Sequence, residues 1–116
     1  LVGFAGGTGS GDYLMSKLHT VNKSPFDRNS FDTCLTHAED GSAVLLIEDG
    51  VYAAVAGGQT AARITEASAR LKVYVLGPDL AARGMADDRV CAGVSVVDYG
   101  GFVDLAAEHD AVHSWL

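Results

Sequence analysis

Short apolar runs alternate with segments of helical spacing along the chain after residue 15. The runs are rich in β-branched side chains and have the length of strands. They are Leu18 to Val21, Ala43 to Ile47, Leu71 to Leu76, Val94 to Val97 and Val112 to Leu116. Strands that alternate with helices usually stack as βα units in a parallel sheet. The pattern therefore predicts an α/β fold with a five-stranded, mostly parallel sheet.

The second run, Ala43 to Ile47, is continuously apolar, which indicates a strand covered on both faces. Helices on both faces of such a sheet make a three-layer sandwich. We expect this sandwich to be flavodoxin-like and to have the strand order of flavodoxin.

The segment before the second strand carries a helix-start pattern. Ser24 can cap a helix, Pro25 suits its first position and Asp27 favours its positive end, so a helix is predicted from Ser24 to about Ala38. Its apolar stripe is formed by Phe31, Cys34, Leu35 and Ala38. Further helices are predicted over Thr60 to Arg70, from Pro78 to near Gly84, and over Tyr99 to His109.

Composition places the chain among small globular domains. Its 116 residues fit one domain, and a hydrophobic content of 48% is enough for a core. Eight basic residues against 15 acidic ones give a net charge of −7, which disfavours direct binding to nucleic acid. Two cysteines make no disulfide framework, and no apolar run is long enough to cross a membrane, so we expect a cytoplasmic protein.

The first fourteen residues contain a glycine cluster ahead of the first strand. A phosphate-binding loop would continue with Lys and Ser or Thr, whereas Gly11 is followed by Asp12 and Tyr13. We therefore interpret residues 1–14 as an added leader or flexible extension, and residues 15–116 as a single domain.

Acidic and aromatic residues follow two of the predicted strands, where α/β sheets bind ligands. Glu48 and Asp49 lie near Tyr52, and Asp98 precedes Tyr99. They are typical of turns and helix caps, but they also allow an alternative, a freestanding small-ligand-binding domain or enzyme. We expect no cofactor, because the loop after the first strand lacks the glycine of a flavin site. We expect no metal, because the histidines His19, His37, His109 and His113 lack zinc-type spacing with the cysteines.

Four segments, in the same order along the chain, resemble the DsrH/TusB family, and their sequences are closer to DsrH than to TusB. The segments are His19 to Phe26, Ala43 to Tyr52, Val73 to Gly84 and Val97 to Leu105. The likeness extends from Met15 to Leu116 and is more specific than any single glycine or acid motif.

This resemblance implies a subunit of a cytoplasmic sulfur-relay complex of the DsrEFH or TusBCD type. In such a dimer of heterotrimers, the partners are DsrE/TusD-like and DsrF/TusC-like subunits, and persulfide sulfur passes to a DsrC/TusE-like acceptor. DsrH-type complexes serve sulfur oxidation, and TusB-type complexes serve 2-thiolation of the tRNA wobble uridine. The principal persulfide carrier belongs to the DsrE or TusD partner, which implies a structural, docking or accessory role for this chain.

Cys34 matches the position of the cysteine of DsrH members, which implies a role in sulfur transfer. The physical pattern points the other way, to a buried inert thiol. Cys34 lies two turns past the predicted helix start, where the dipole has faded, and no Lys or Arg is four residues away. Both alternatives stay open, and Cys91 is the poorer candidate.

Aromatic side chains are favoured at the centres of subunit interfaces. The chain offers Tyr52, Tyr74, Tyr99, Phe102 and Trp115. We expect Tyr99, Phe102 or Trp115 to contact another subunit, although core packing explains each of them equally well.

Overall fold

The structure is a computed structural model that describes residues 16–116, so the interpretation of residues 1–14 falls outside the described residues. The strands are β1 (Lys17–Val21), β2 (Ala43–Leu46), β3 (Lys72–Leu76), β4 (Val94–Val97) and β5 (Ala111–Trp115). The α-helices are α1 (Ser30–His37), α2 (Ala61–Ala67), α3 (Gly77–Ala82) and α4 (Tyr99–Glu108). Two 3₁₀ helices span Glu48–Ala54 and Asp87–Arg89. All five predicted strands are present, each within one residue of its expected bounds.

The strands form one sheet in the order β4-β3-β2-β1-β5, and every neighbouring pair is parallel. This confirms the α/β class and the five-stranded parallel sheet. The expected strand order was wrong, because flavodoxin places β1 between β2 and β3. Here the first three crossovers step in one direction, and β5 then pairs with the free edge of β1. The apolar runs specify strands, but they do not specify the direction in which successive units step.

The two faces of the sheet are covered differently. One face packs under α1, α2, α3 and the first 3₁₀ helix, and its core includes Phe31, Ile64 and Leu80. On the other face, Leu105 of α4 packs on Leu18 and Leu45. Right-handed crossovers explain this asymmetry, because only the step from β4 to β5 reverses direction and so puts its helix on the opposite face.

The first helix begins at Ser30 instead of Ser24, so the predicted start was wrong. Residues 24–28 form a tight turn, in which the Phe26 N–H donates to Ser24 Oγ at 3.2 Å. The N–H groups of Asp27 and Arg28 both donate to the Ser24 carbonyl oxygen, at 3.1 and 3.2 Å. A serine side chain that bonds its own neighbouring backbone competes with helix formation, which accounts for the difference.

The other helices lie where the sequence places them, with shorter ends. α2 ends at Ala67, three residues before the predicted limit, and α4 ends one residue early at Glu108. None of the helices in residues 16–116 combines the length and the apolarity that crossing a bilayer requires.

Candidate functional site

The carboxyl ends of the parallel strands meet at one edge of the sheet, which we call the carboxyl edge. The first 3₁₀ helix passes tightly across it, because a Cβ on Gly50 would lie 2.1 Å from the carbonyl oxygen of Val21. The first residue of this helix, Glu48, has a φ of +50°, which is unusual for a residue with a side chain. The Glu48 N–H donates to Asp79 Oδ2 at 2.6 Å, so a carboxylate at the start of α3 stabilises this conformation.

The acids that the sequence singles out at this edge all have structural partners. Asp49 Oδ1 accepts from Arg83 Nε at 2.9 Å, and the same guanidinium donates to the carbonyl oxygen of Asp79 at 3.1 Å. Asp98 caps α4 by accepting from the Gly101 N–H at 2.8 Å. Glu48 Oε1 lies 3.5 Å from Asn22 Nδ2. These contacts are those of turns and caps, and they favour the structural interpretation of the acids over a catalytic one.

A cleft of about 640 Å³ opens at the carboxyl edge between the starts of α3 and α4. Its lining residues are Gly77, Pro78, Ala81, Asp87, Val96, Val97, Asp98 and Gly101. The charged side chains in this lining are the two carboxylates, so the cleft would repel the phosphates of a nucleotide or a flavin. Across residues 16–116, no three His, Cys, Asp or Glu side chains converge as metal ligands.

Cys34 lies in the core between α1 and the sheet. Its side chain has no solvent exposure and belongs to the same cluster as Phe31 and Leu35. Burial raises the pKa of the Cys34 thiol to about 12, because a thiolate would lose its hydration there. Two cations of the neighbouring segment have other partners, since Arg63 is paired with Asp32 at 2.5 Å and Arg70 donates to the carbonyl oxygens of Leu35 and Ala38. In this conformation Cys34 is protonated and shielded.

Cys91 is the second free thiol and is also buried. Burial raises its pKa, although a backbone hydrogen bond opposes part of that shift. Its N–H donates to the Ala54 carbonyl oxygen at 2.8 Å, which ties the approach to β4 against the first 3₁₀ helix. Neither cysteine therefore has the exposure or the lowered pKa of a reactive thiol.

Three histidines surround Trp115, the single tryptophan of the chain. The Trp115 Nε1–H donates to His19 Nδ1 at 3.0 Å. The indole also stacks against His113, with centroids 4.4 Å apart, and lies parallel to His37 at 6.3 Å. Burial lowers the pKa of His19, and His113 and Lys17 lower it further by charge repulsion. The cluster fastens β5 to β1 and α1.

Of the aromatic residues expected at an interface, Tyr99 is the one whose side chain points mostly into solvent. Phe102 packs partly against the core under α4, and Trp115 is engaged with the histidines. A contact between any of these and another subunit stays a prediction.

Phe26 is an exposed aromatic residue that the sequence reasoning missed. Its side chain is 58% exposed on the turn at residues 24–28. The predicted helix from Ser24 placed Phe26 at its second position, and a residue there gives no sign of unusual exposure. The signal was present in the Ser24-Pro25-Phe26 sequence, since Ser and Pro are both turn residues.

A family model described as DsrH like protein matches residues 23–112. The chain therefore belongs to the DsrH/TusB family. This confirms the resemblance carried by its motifs.

Named relatives in this family carry the description Protein TusB. The protein from Pectobacterium parmentieri is 40% identical over 98 residues, covering 84% of this chain and 99% of the relative. The protein from Escherichia coli O1:K1 / APEC is 36% identical over the same shares of the two chains.

Two solved structures share the fold of this DsrH/TusB member. The ychN protein from E. coli has a TM-score of 0.71 at 16% identity, covering 86% of this chain and 98% of that one. MTH1491 from Methanobacterium thermoautotrophicum, described as a protein of unknown function, has a TM-score of 0.68 at 18% identity with the same coverage. At these identities the likeness supports the fold alone.

Proposed function

We propose that this chain is a structural and docking subunit of a cytoplasmic sulfur-relay complex. Membership of the DsrH/TusB family supports a place in a sulfur relay. In the proposed complex, the chain joins DsrE/TusD-like and DsrF/TusC-like subunits in a dimer of heterotrimers. That complex passes persulfide sulfur to a DsrC/TusE-like acceptor.

The observation that carries the docking role is the state of Cys34. A relay thiolate attacks the outer sulfur of a donor persulfide, the S–S bond breaks, and the donor cysteine leaves as a thiolate. With a pKa of about 12, about one Cys34 thiol in 10⁵ is ionised at pH 7. Because burial also blocks the approach of a donor, the carrier cysteine belongs on a partner subunit.

Native mass spectrometry tests the assembly. The chain is co-expressed with the DsrE-like and DsrF-like subunits of the same genome, and also alone. We expect a mass equal to two copies of each subunit. If the chain stays monomeric while the other two subunits assemble without it, the proposed function is wrong.

A transfer role for Cys34 is a second proposal, favoured by its match to the cysteine of DsrH members. It requires α1 to move away from the sheet in the complex, so that the thiol meets both solvent and donor. Incubation of the assembled complex with a persulfidated donor should then add +32 Da, one sulfur atom, to the Cys34 peptide. If sulfur reaches the acceptor while Cys34 stays unmodified, this role is excluded.

Deleting the gene distinguishes a role in tRNA thiolation from a role in sulfur oxidation. A chain that serves tRNA thiolation should leave cells with less 2-thiouridine at the wobble position. A chain that serves sulfur oxidation should leave 2-thiouridine unchanged and slow the consumption of stored sulfur.

A further inference from the structure

The turn at residues 24–28, which we call the Phe26 turn, is held firmly by its own backbone. The hydroxyl and carbonyl oxygens of Ser24 accept three N–H groups of the turn, and Ser24 itself is buried. Pro25 restricts the backbone further by fixing its φ. The turn therefore holds its shape before any partner arrives, which lowers the entropy lost on binding.

This firm turn presents an apolar group to water. Phe26 is 58% exposed, whereas Phe31, five residues later, is 1% exposed. Folding the domain gains little from the Phe26 ring. An aromatic side chain on a preorganised backbone is the kind of residue that dominates binding energy at interfaces.

The segment from Lys23 to Arg28 carries more positive than negative charge in an acidic chain. Lys23 and Arg28 flank the turn, and neither takes part in an ion pair within residues 16–116. Asp27 lies between them, so the segment carries a net charge of +1, whereas the whole chain carries −7. Four other basic residues, Lys17, Arg63, Arg70 and Arg83, are each paired with an acid.

We infer that the Phe26 turn docks into a partner subunit of the relay complex, with Phe26 in an apolar groove and Lys23 and Arg28 against an acidic rim. The inference rests on the proposed function and specifies which surface makes the contact. The positive charge of the turn selects a partner with an acidic surface. The charge of −7 on each copy of this chain opposes self-association, which favours a different subunit over a second copy.

Calorimetric titration tests the docking, with the chain titrated into the purified DsrE-like and DsrF-like pair. We expect Phe26→Ala to weaken binding about tenfold or more. Val112→Ala is the matched control, because Val112 is 49% exposed on β5 and lies outside both the turn and α4. It should leave the affinity within about twofold.

Charge reversal tests the rim. The double variant K23E/R28E should weaken binding and remove most of the salt dependence seen with the natural chain. The double variant K72E/R89E makes the same charge change at two exposed, unpaired positions outside the turn. It should retain the salt dependence.

The outcomes separate the two proposals. If the natural chain binds the pair and Phe26→Ala binds equally well, or if Val112→Ala is weakened as much as Phe26→Ala, the docking inference is wrong and the proposed function stands. If the natural chain does not bind the pair, both are wrong. A homodimer that Phe26→Ala abolishes, together with unchanged binding to the pair, would assign the turn to a second copy and overturn the inference.

Discussion

The Phe26 turn and the helix that follows it differ in the solvent exposure of their chemically useful side chains. The turn puts an apolar ring into water, whereas α1 hides a thiol beneath a helix. A nucleophile would need the reverse arrangement, with the sulfur accessible and the ring in the core. In this region the accessible group is therefore an apolar ring and the enclosed group is the nucleophile, which supports the proposed docking role.

The sharpest test of this contrast is a pair of identical truncations. Phe31→Ala should lower the free energy of unfolding by about 3 to 5 kcal/mol, because it leaves a cavity in a fully packed core. Phe26→Ala should change it by no more than about 0.5 kcal/mol. Urea denaturation measures both. A large loss of stability in Phe26→Ala would mean that its ring belongs to the fold.

The Cys34 thiol should affect the free energy of unfolding of the domain at alkaline pH. The pKa of Cys34 is raised from 9.0 to about 12, so above pH 9 the unfolded chain loses a proton that the folded chain keeps. Stability should therefore fall as pH rises, by about 1.4 kcal/mol per pH unit from this group. Below pH 9 the group has no effect.

Cys34→Ala isolates this contribution from the other groups that titrate at high pH. The variant will be less stable overall, but its stability should decline less steeply between pH 9 and 10.5. Equal slopes in the two proteins would indicate that Cys34 is hydrated in the folded state, which would favour its transfer role.

A smaller effect should follow from loosening the turn. Ser24→Ala removes the hydroxyl that accepts from the Phe26 N–H, at a cost of about 0.5 to 1.5 kcal/mol. The released turn should exchange its Phe26 amide proton faster, while the amides of α1 keep their protection. Uniform loss of protection in both segments would contradict the idea that the turn and the helix are independent.

The smallest change in stability that we expect concerns His19, which is buried like Cys34. Its pKa is lowered from 6.5. Below pH 6.5 the His19 imidazole therefore binds a proton in the unfolded chain but stays neutral in the folded chain. Stability should fall on acidification, because a proton on Nδ1 would face the Trp115 N–H. His19→Gln keeps an acceptor and cannot titrate, so it should reduce this loss. The fluorescence of Trp115 reports the change, and an identical acid profile in His19→Gln would exclude His19 as its cause.

Local pattern accounts for much of the fold. Continuous apolar runs such as Ala43 to Leu46 predict buried strands, and the spacing of Phe31, Cys34 and Leu35 places the thiol on the buried stripe of its helix. The failures are of two kinds. At Ser24 one side chain suits both a cap and a turn, and tertiary contacts decide between them. The strand order depends on the direction of each crossover, and the contact between His19 and Trp115 joins segments more than ninety residues apart. Periodicity reveals neither.

The position of β5 beside β1 has a consequence for biosynthesis. β1 is synthesised before the other strands of residues 16–116, yet the neighbour on one of its sides is β5, the last of these strands in the chain. During translation this flank of β1 has unpaired backbone groups, and such an edge can pair with a foreign strand. Pairing with β5 thus closes this flank of β1 only after the other described strands have been made.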